Sequence, residues 1–236
     1  MSFFSGISSF AFGNECLGCH RLGRPLDPWL CPDCKKELLK LAEDPRHPAF
    51  DILCLYPMTP LLKSLVHAIK YGNMPGLANY LVRISLQSGD SLETLKSWGK
   101  NLHFVPVPLH KARFRERGYN QAEKIAASIS ECVGGSVENA LVRRTFRISQ
   151  TQLSRDARAH NVAGAFVLKK NLRWSSDCIP VIVDDVFTTG ATSTACLYAL
   201  ERKNLGGMAK VCTLLCEESA SAKADFVADS SLGWDA

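Results

Sequence analysis

No stretch of this chain approaches the roughly 18 uninterrupted apolar residues that crossing a bilayer requires. Met1–Ile7 carries neither the basic lead nor the apolar core of a secretory signal. These absences predict a cytoplasmic protein without membrane insertion. No segment has the low hydrophobicity or repetition of a disordered tract, and 46% apolar with 22% charged residues is ordinary for a folded protein. A large charge imbalance is also lacking. The net +5 suits a protein that handles a polyanionic small molecule and does not call for nucleic acid. At 236 residues there is room for one sizeable α/β core and a small appendage, not for two ordinary enzyme domains.

What the chain does have is ten cysteines. Four form the pairs Cys16-Leu17-Gly18-Cys19 and Cys31-Pro32-Asp33-Cys34, separated by eleven residues that include Gly23, Pro25, Asp27 and Pro28. Two such turns present four thiolates to one ion and complete a tetrahedral zinc site with no open position, which assigns the metal to folding. Disulfides or redox dithiols are the alternative, and nothing thioredoxin-like surrounds the pairs. His20 is read as surface. Cys54, Cys178, Cys196 and Cys212 lie in apolar segments and are read as small buried hydrophobes. The polar, proline-rich Asp44–Pro48 marks a boundary between a knuckle at 1–45 and a larger unit at 46–236.

The larger unit alternates. Strands are expected at Ile52–Tyr56, Leu102–Pro108, Phe166–Leu168, Ile179–Val183 and Val211–Cys216. Helices are expected at Lys35–Ala42, Leu61–Ile69 before the Gly72 stop, Pro75–Leu86, Asn120–Cys132 and Thr192–Lys203. Such alternation argues for an α/β fold, a mostly parallel sheet with helices on both faces.

Val181-Ile182-Val183-Asp184-Asp185-Val186-Phe187-Thr188-Thr189-Gly190-Ala191-Thr192 carries the chemistry. An apolar strand is expected to end in two carboxylates, both facing the site, at the edge of the sheet where ligands of such folds bind. A tight loop of small hydroxyl residues then enters a helix, whose unpaired amides and dipole cradle phosphate. The acids would repel phosphate directly, so they are assigned to sugar hydroxyls. A strand end with a helix cap is the plain alternative. Between the strand at Leu102 and the helix at Asn120 lies a basic loop, Lys111, Arg113, Arg115, Arg117 and Gly118, which is either solvated or a second anion contact. Polar Gln150–Asn161, with Arg155 and Arg158, is either a closing lid or a surface loop. Lys70-Tyr71-Gly72 is either a further ligand contact or a helix C-terminus beside a glycine stop, which needs no function, and Lys70 is not counted among the site residues.

Strand, acid pair, Thr-Thr-Gly-Ala-Thr and helix together resemble the phosphoribosyl-pyrophosphate motif of type I phosphoribosyltransferases. No P-loop is present, because its Gly-Lys-Thr ending is absent. Val105-Pro106-Val107-Pro108, the block Arg117–Ala122, the block Gln152–Phe166 and the four-cysteine knuckle narrow the resemblance to the ComF family, from Cys16 to about Cys216. Tyr119 stands where that family usually has phenylalanine, and Glu217–Ala236 matches nothing in it. The resemblance implies a type I phosphoribosyltransferase core. It implies binding of 5-phosphoribosyl-1-pyrophosphate with Mg²⁺, transfer to an unknown nitrogen acceptor, and a link to DNA uptake. Asp184, Asp185 and Arg117 would be catalytic. Thr188, Thr189, Gly190, Ala191, Thr192, Gly118 and Arg158 would join them in holding the substrate. The rival is a non-catalytic adaptor that binds phosphoribosyl pyrophosphate or a nucleotide within the DNA-uptake machinery. A third reading, single-stranded DNA on Arg143–Arg147, has one phenylalanine among three arginines as its only stacking signal.

Overall fold

The computed structural model describes residues 15–24, 26–48, 51–87, 89–144, 164–170, 172, 174–201 and 208–217. In chain order the described elements are α1 (Pro32–Ala42), β1 (Ile52–Pro57), α2 (Pro60–Tyr71), α3 (Pro75–Gln87), α4 (Asp90–Ser97), β2 (Leu102–Pro106), α5 (Lys111–Arg117), α6 (Gln121–Val133), β3 (Ser136–Val137), β4 (Leu141–Arg143), β5 (Phe166–Leu168), β6 (Ile179–Phe187), α7 (Ala191–Glu201) and β7 (Lys210–Cys216). Five strands form one parallel sheet in the order β1-β7-β6-β2-β3. The expected α/β architecture of a mostly parallel sheet flanked by helices is therefore present.

The central strand explains the layering. Val181, Ile182 and Val183 are all fully buried, as a parallel strand covered on both faces requires. Val181 and Val183 join a cluster with Leu62, Leu65, Leu81, Ile125 and Ile129, so α2, α3 and α6 cover one face. Ile182 joins Ala195, Cys196, Ala199 and Leu200 of α7 on the other. Helix α2 forms because Thr59 caps it by accepting from the Leu62 amide, Pro60 presets its first turn, and its apolar residues recur on one side. It stops at Gly72, where a Cβ would sit 2.7 Å from the Ala68 carbonyl oxygen.

Three local expectations need correction. Strand β6 does not end at Val183: it keeps pairing with β7 through Asp184↔Thr213 and Phe187↔Cys216, so both acids lie inside a hydrogen-bonded strand. The basic segment after β2 is not a loop but the short helix α5, capped by the His110 side chain and closed by Gly118 in the left-handed region (φ 76°). Phe166–Leu168 does not join the main sheet, and instead pairs antiparallel with Leu141–Arg143 in a two-stranded ribbon. Helix α4 was not expected at all. It is mostly polar and buries only Ser91 and Leu95, too little to write a periodic stripe.

The cysteine knuckle shares the main core. Leu30, Leu38 and Ala42 are fully buried in the same cluster as Leu61 and Leu62. A Cβ on Gly18 would meet Leu61 Cδ1 at 2.5 Å and Cys34 Sγ at 3.0 Å, so the knuckle lies close against α2. The proline-rich stretch after α1 is tacked to edge strand β1, where Arg46 and Cys54 exchange both backbone hydrogen bonds. Among the described residues no helix is long and apolar enough to cross a membrane.

Candidate functional site

From β2 the next strand, β3, lies outward on one side; from β6 the next strand, β7, lies on the other. Where the chain leaves two adjacent parallel strands in opposite directions, a crevice opens between their carboxyl ends, the place where open α/β sheets bind ligands. Here it is bordered by Val107–Gly118 on one side and Asp184–Thr192 on the other.

The two acids do not share a face, contrary to the expectation, because successive strand residues point to opposite sides. Asp185 lies on the side of α2 and α6. Its Oδ2 accepts hydrogen bonds from Lys70 Nζ at 2.9 Å and Gln121 Nε2 at 2.8 Å, and the residue is 7% exposed. Asp184 lies toward Cys196 of α7 and Arg143 of β4, and its Oδ1 accepts from the Asp185 amide at 2.8 Å. Burial first, and then the charge of Asp185, push the Asp184 carboxyl up to about 7, against the opposing pull of Lys70 and Arg143. The strand thus presents one carboxylate that bonds a lysine and a glutamine, and one whose buried carboxyl is raised toward neutrality.

Past Phe187 the chain turns through exposed Thr188 and Thr189 into Gly190, whose φ of 74° is open to glycine at little cost. Thr189 Oγ1 accepts from the Ala191 amide at 3.4 Å, and the first helical bond runs from Thr194 N to Gly190 O at 2.8 Å. Ala191 and Thr192 therefore belong to the first turn of α7. The amides of such a turn, with the helix dipole behind them, suit an anion.

On the β2 side, Asn120 caps α6 and ties it back to the strand: its Oδ1 accepts from Ala122 N at 3.1 Å and its Nδ2 donates to Val107 O at 3.0 Å. Gln121 follows directly and reaches Asp185. Arg117 lies over the Tyr71 ring at 5.1 Å, and its buried Nε finds no partner among the described residues. Lys70, Tyr71, Asn73, Arg115, Arg117 and Gly118 line a cavity of about 470 Å³. The Tyr119 hydroxyl donates to Ile69 O, a tether that phenylalanine lacks.

Of the sequence-named residues, Asp184, Asp185, Thr188, Thr189, Gly190, Ala191, Thr192, Arg117 and Gly118 border this crevice; Arg158 and the rest of Gln150–Asn161 lie outside the described residues. Lys70 and Gln121 were not among the expected site residues: Lys70 was weighed as a ligand contact and set aside. Gln121 sat inside the Arg117–Ala122 block, which was a usable signal, whereas Lys70 had only its helix end. In the Arg143–Arg147 run, Arg143 lies over the Phe166 ring at 5.5 Å and the residues past Arg144 lie outside the described ones.

The second constellation is sulfur. The Sγ atoms of Cys16, Cys19, Cys31 and Cys34 lie within 4.8 Å of one another, with Cys19 and Cys31 at 3.8 Å. A tetrahedral zinc with bonds of about 2.3 Å would space its thiolates by about 3.8 Å, so the donor set fits. The Cys34 backbone amide, at the start of α1, holds the Cys31 thiol down at about 6, and the Cys31 amide donates to Cys16 Sγ at 3.2 Å. Amides aimed at sulfur favour thiolate over thiol, the form a metal needs. His20 stays outside, exposed and bonded to Glu15 at 2.7 Å and Ser64 at 2.9 Å.

The structure joins a four-cysteine cluster to an α/β fold whose parallel sheet carries an acid pair and a glycine turn at its switch point. No family model matches the chain. It is 30% identical over 189 residues to the DNA utilization protein YhgH of Escherichia coli K12, covering 75% of this chain and 79% of that protein. It is 34% identical over 138 residues to YhgH of Salmonella typhimurium, and there the match covers 57% of this chain and 58% of the relative. Competence protein F of Haemophilus influenzae is 26% identical over 185 residues, 75% of this chain and 80% of that one. The chain belongs to the ComF family.

Proposed function

We propose that this chain binds 5-phosphoribosyl-1-pyrophosphate with Mg²⁺ on a type I phosphoribosyltransferase core and transfers the phosphoribosyl group to a nitrogen acceptor. The observation that carries the reading is the β6–α7 junction. Two carboxylates of different character stand in the strand, and a glycine turn with threonine hydroxyls leads into an open helix N-terminus. Asp185 and Asp184 accept hydrogen bonds from ribose hydroxyls, and Thr188–Thr192 takes the 5-phosphate. Gln121 Oε1 is buried without a partner among the described residues, and a ligand hydroxyl beside Asp185 would satisfy it. Arg117, whose Nε has no partner among the described residues, faces the leaving pyrophosphate, which gains charge as it departs. Mg²⁺ bound with the ligand supplies charge neutralisation at the pyrophosphate. Zinc on the four cysteines is structural.

The names of the relatives add a setting. The relatives are named for DNA utilization and for competence; on this reading the activity serves the handling of incoming DNA, in the cytoplasm, with DNA-uptake proteins as partners. A non-catalytic adaptor would keep the binding and lose the chemistry. Calorimetry with phosphoribosyl pyrophosphate and Mg²⁺ on the wild type, Asp184→Asn and Asp185→Asn tests the binding. Wild-type affinity in both variants would remove the acid pair from the site. Pyrophosphate release with a panel of bases and amines separates enzyme from adaptor.

A further inference from the structure

A second cavity, of about 620 Å³, opens on the other side of α5, and nothing in the proposed binding of phosphoribosyl pyrophosphate uses it. Its floor is apolar: Pro108 and Leu109 just past β2, with Leu141 of β4. Phe114 of α5 lines it and is 49% exposed, an uncovered aromatic on a helix that buries nothing. An aromatic over an apolar floor with a few convergent polar groups at its rim has the make-up of a small-molecule pocket.

The charge around this floor is one-sided. Lys111, Arg115 and Lys169 line the cavity against a single carboxylate, Glu123, which leaves a net charge of +2. None of the three cations has an ion-pair partner among the described residues, whereas neighbouring Arg113, outside the lining, is paired with Glu116 at 2.9 Å. Glu123 is itself held by Asn139 Nδ2 at 3.1 Å, so the polar edge is positioned rather than loose. The cavity adjoins the acid-pair site in two ways. Arg115 lines both cavities, and consecutive residues divide the task at the start of α6: Asn120 lines this one while Gln121 holds Asp185.

We propose that this cavity is the acceptor subsite and that it takes a planar nitrogen heterocycle carrying negative charge, of the heteroaromatic carboxylate type. The ring lies on Phe114 and the Pro108–Leu109–Leu141 floor. Ring or amino N–H groups donate to Glu123 and the Asn139 carbonyl, and the anionic groups meet Lys111, Arg115 and Lys169. The volume lies in the range of ordinary small-molecule sites, and a ring stacked on Phe114 gains beyond its buried area. The assignment of this cavity as the acceptor side rests on the proposed function.

The test uses the full zinc-loaded chain and three probes without a ribose phosphate: pyridine-2,3-dicarboxylate, the matching neutral dicarboxamide, and inorganic phosphate. Titration calorimetry is run with and without saturating phosphoribosyl pyrophosphate and Mg²⁺. The dicarboxylate should bind at least tenfold more tightly than the dicarboxamide and should bind alongside phosphoribosyl pyrophosphate. Phe114→Ala should weaken it about tenfold, and Lys169→Ala should weaken it about fivefold while leaving the dicarboxamide unchanged. Neither exposed substitution should alter phosphoribosyl pyrophosphate affinity or the melting temperature. Equal affinity of wild type and both variants for the dicarboxylate overturns the subsite. So does full competition between the dicarboxylate and phosphoribosyl pyrophosphate, because both would then share one site. Absent binding of phosphoribosyl pyrophosphate to the wild type, with dicarboxylate binding still dependent on Phe114 and Lys169, would refute the proposed function while leaving the heterocycle cavity standing.

Discussion

The knuckle and the crevice both gather polar groups, and they do so by opposite designs. The four sulfurs satisfy one another's geometry around a single point, and Cys16 and Cys31 are fully buried, with the core wrapped around them. At the crevice the groups are left partly unmatched: an acid raised toward neutrality, and a glutamine oxygen and an arginine Nε without partners among the described residues. A closed set of donors stabilises, because every unmade bond has been removed; an open set costs stability and binds, because a ligand supplies what is missing.

The largest expected effect tests the closed side. Cys31→Ser, or chelation of the metal, should do more than loosen 16–42, since Leu30, Leu38 and Ala42 share the cluster that holds Leu61 and Leu62. We expect a loss of about 5 kcal/mol, or a fall of about 10–20 °C in the melting midpoint, read by calorimetry alongside elemental zinc. A melt unchanged by metal removal would show that the sulfurs contribute no closure.

The next tests the open side. Asp185→Asn removes the charge that Lys70 and Gln121 address, and should lower phosphoribosyl pyrophosphate affinity by about 10- to 150-fold, the range of one charge-assisted hydrogen bond of about 1.5–3 kcal/mol. Asp184→Asn should cost less, since that group is partly protonated at neutral pH. Equal losses in the two variants would erase the distinction between the acids. Gly190→Ala, which forces a side chain into the left-handed region, should cost about 1–2 kcal/mol of stability and weaken inorganic phosphate binding at the turn. Unfolding in denaturant checks the first effect and phosphate titration the second.

The smallest effect is in pH. A carboxyl raised to about 7 in the folded chain contributes stability that is complete below the unfolded value near 4 and is lost as pH rises through 7. The free protein should therefore lose stability from this group between pH 4 and 7. If the ligand requires Asp184 charged, affinity should rise about tenfold between pH 6 and 8. Asp184→Asn should flatten both trends, and a pH profile that survives the substitution assigns the titration to another group.

Much of this was readable in the sequence, and the reason differs by element. Strands and helices with a buried face showed themselves through periodicity, which is why β1, α2, α6 and β7 fall within a residue or two of expectation. The cysteine spacing spoke for itself, because a tetrahedral site leaves few alternatives. The extent of β6 was misjudged because two acids look like a terminus, and only the neighbouring β7 shows that pairing continues past them. Helix α5 read as a loop because it buries nothing. The pairing of Lys70 with Asp185 joins residues 115 positions apart, and no local pattern encodes a contact that only the closed sheet creates.

Helix α2 has a consequence of a mechanical kind. At its first turn Leu61 fills the space over Gly18 of the knuckle, and at its last turn Ile69 is tethered by Tyr119 while Lys70 reaches Asp185. The two ends are about 14 Å apart at 1.5 Å per residue. A rod of that length, pivoted near its sulfur end, carries its far end by about 1 Å for a tilt of about 5°, and a shift of that size separates an ammonium from its carboxylate. The seating of four cysteines thereby sets the aim of a lysine at the other end of the helix.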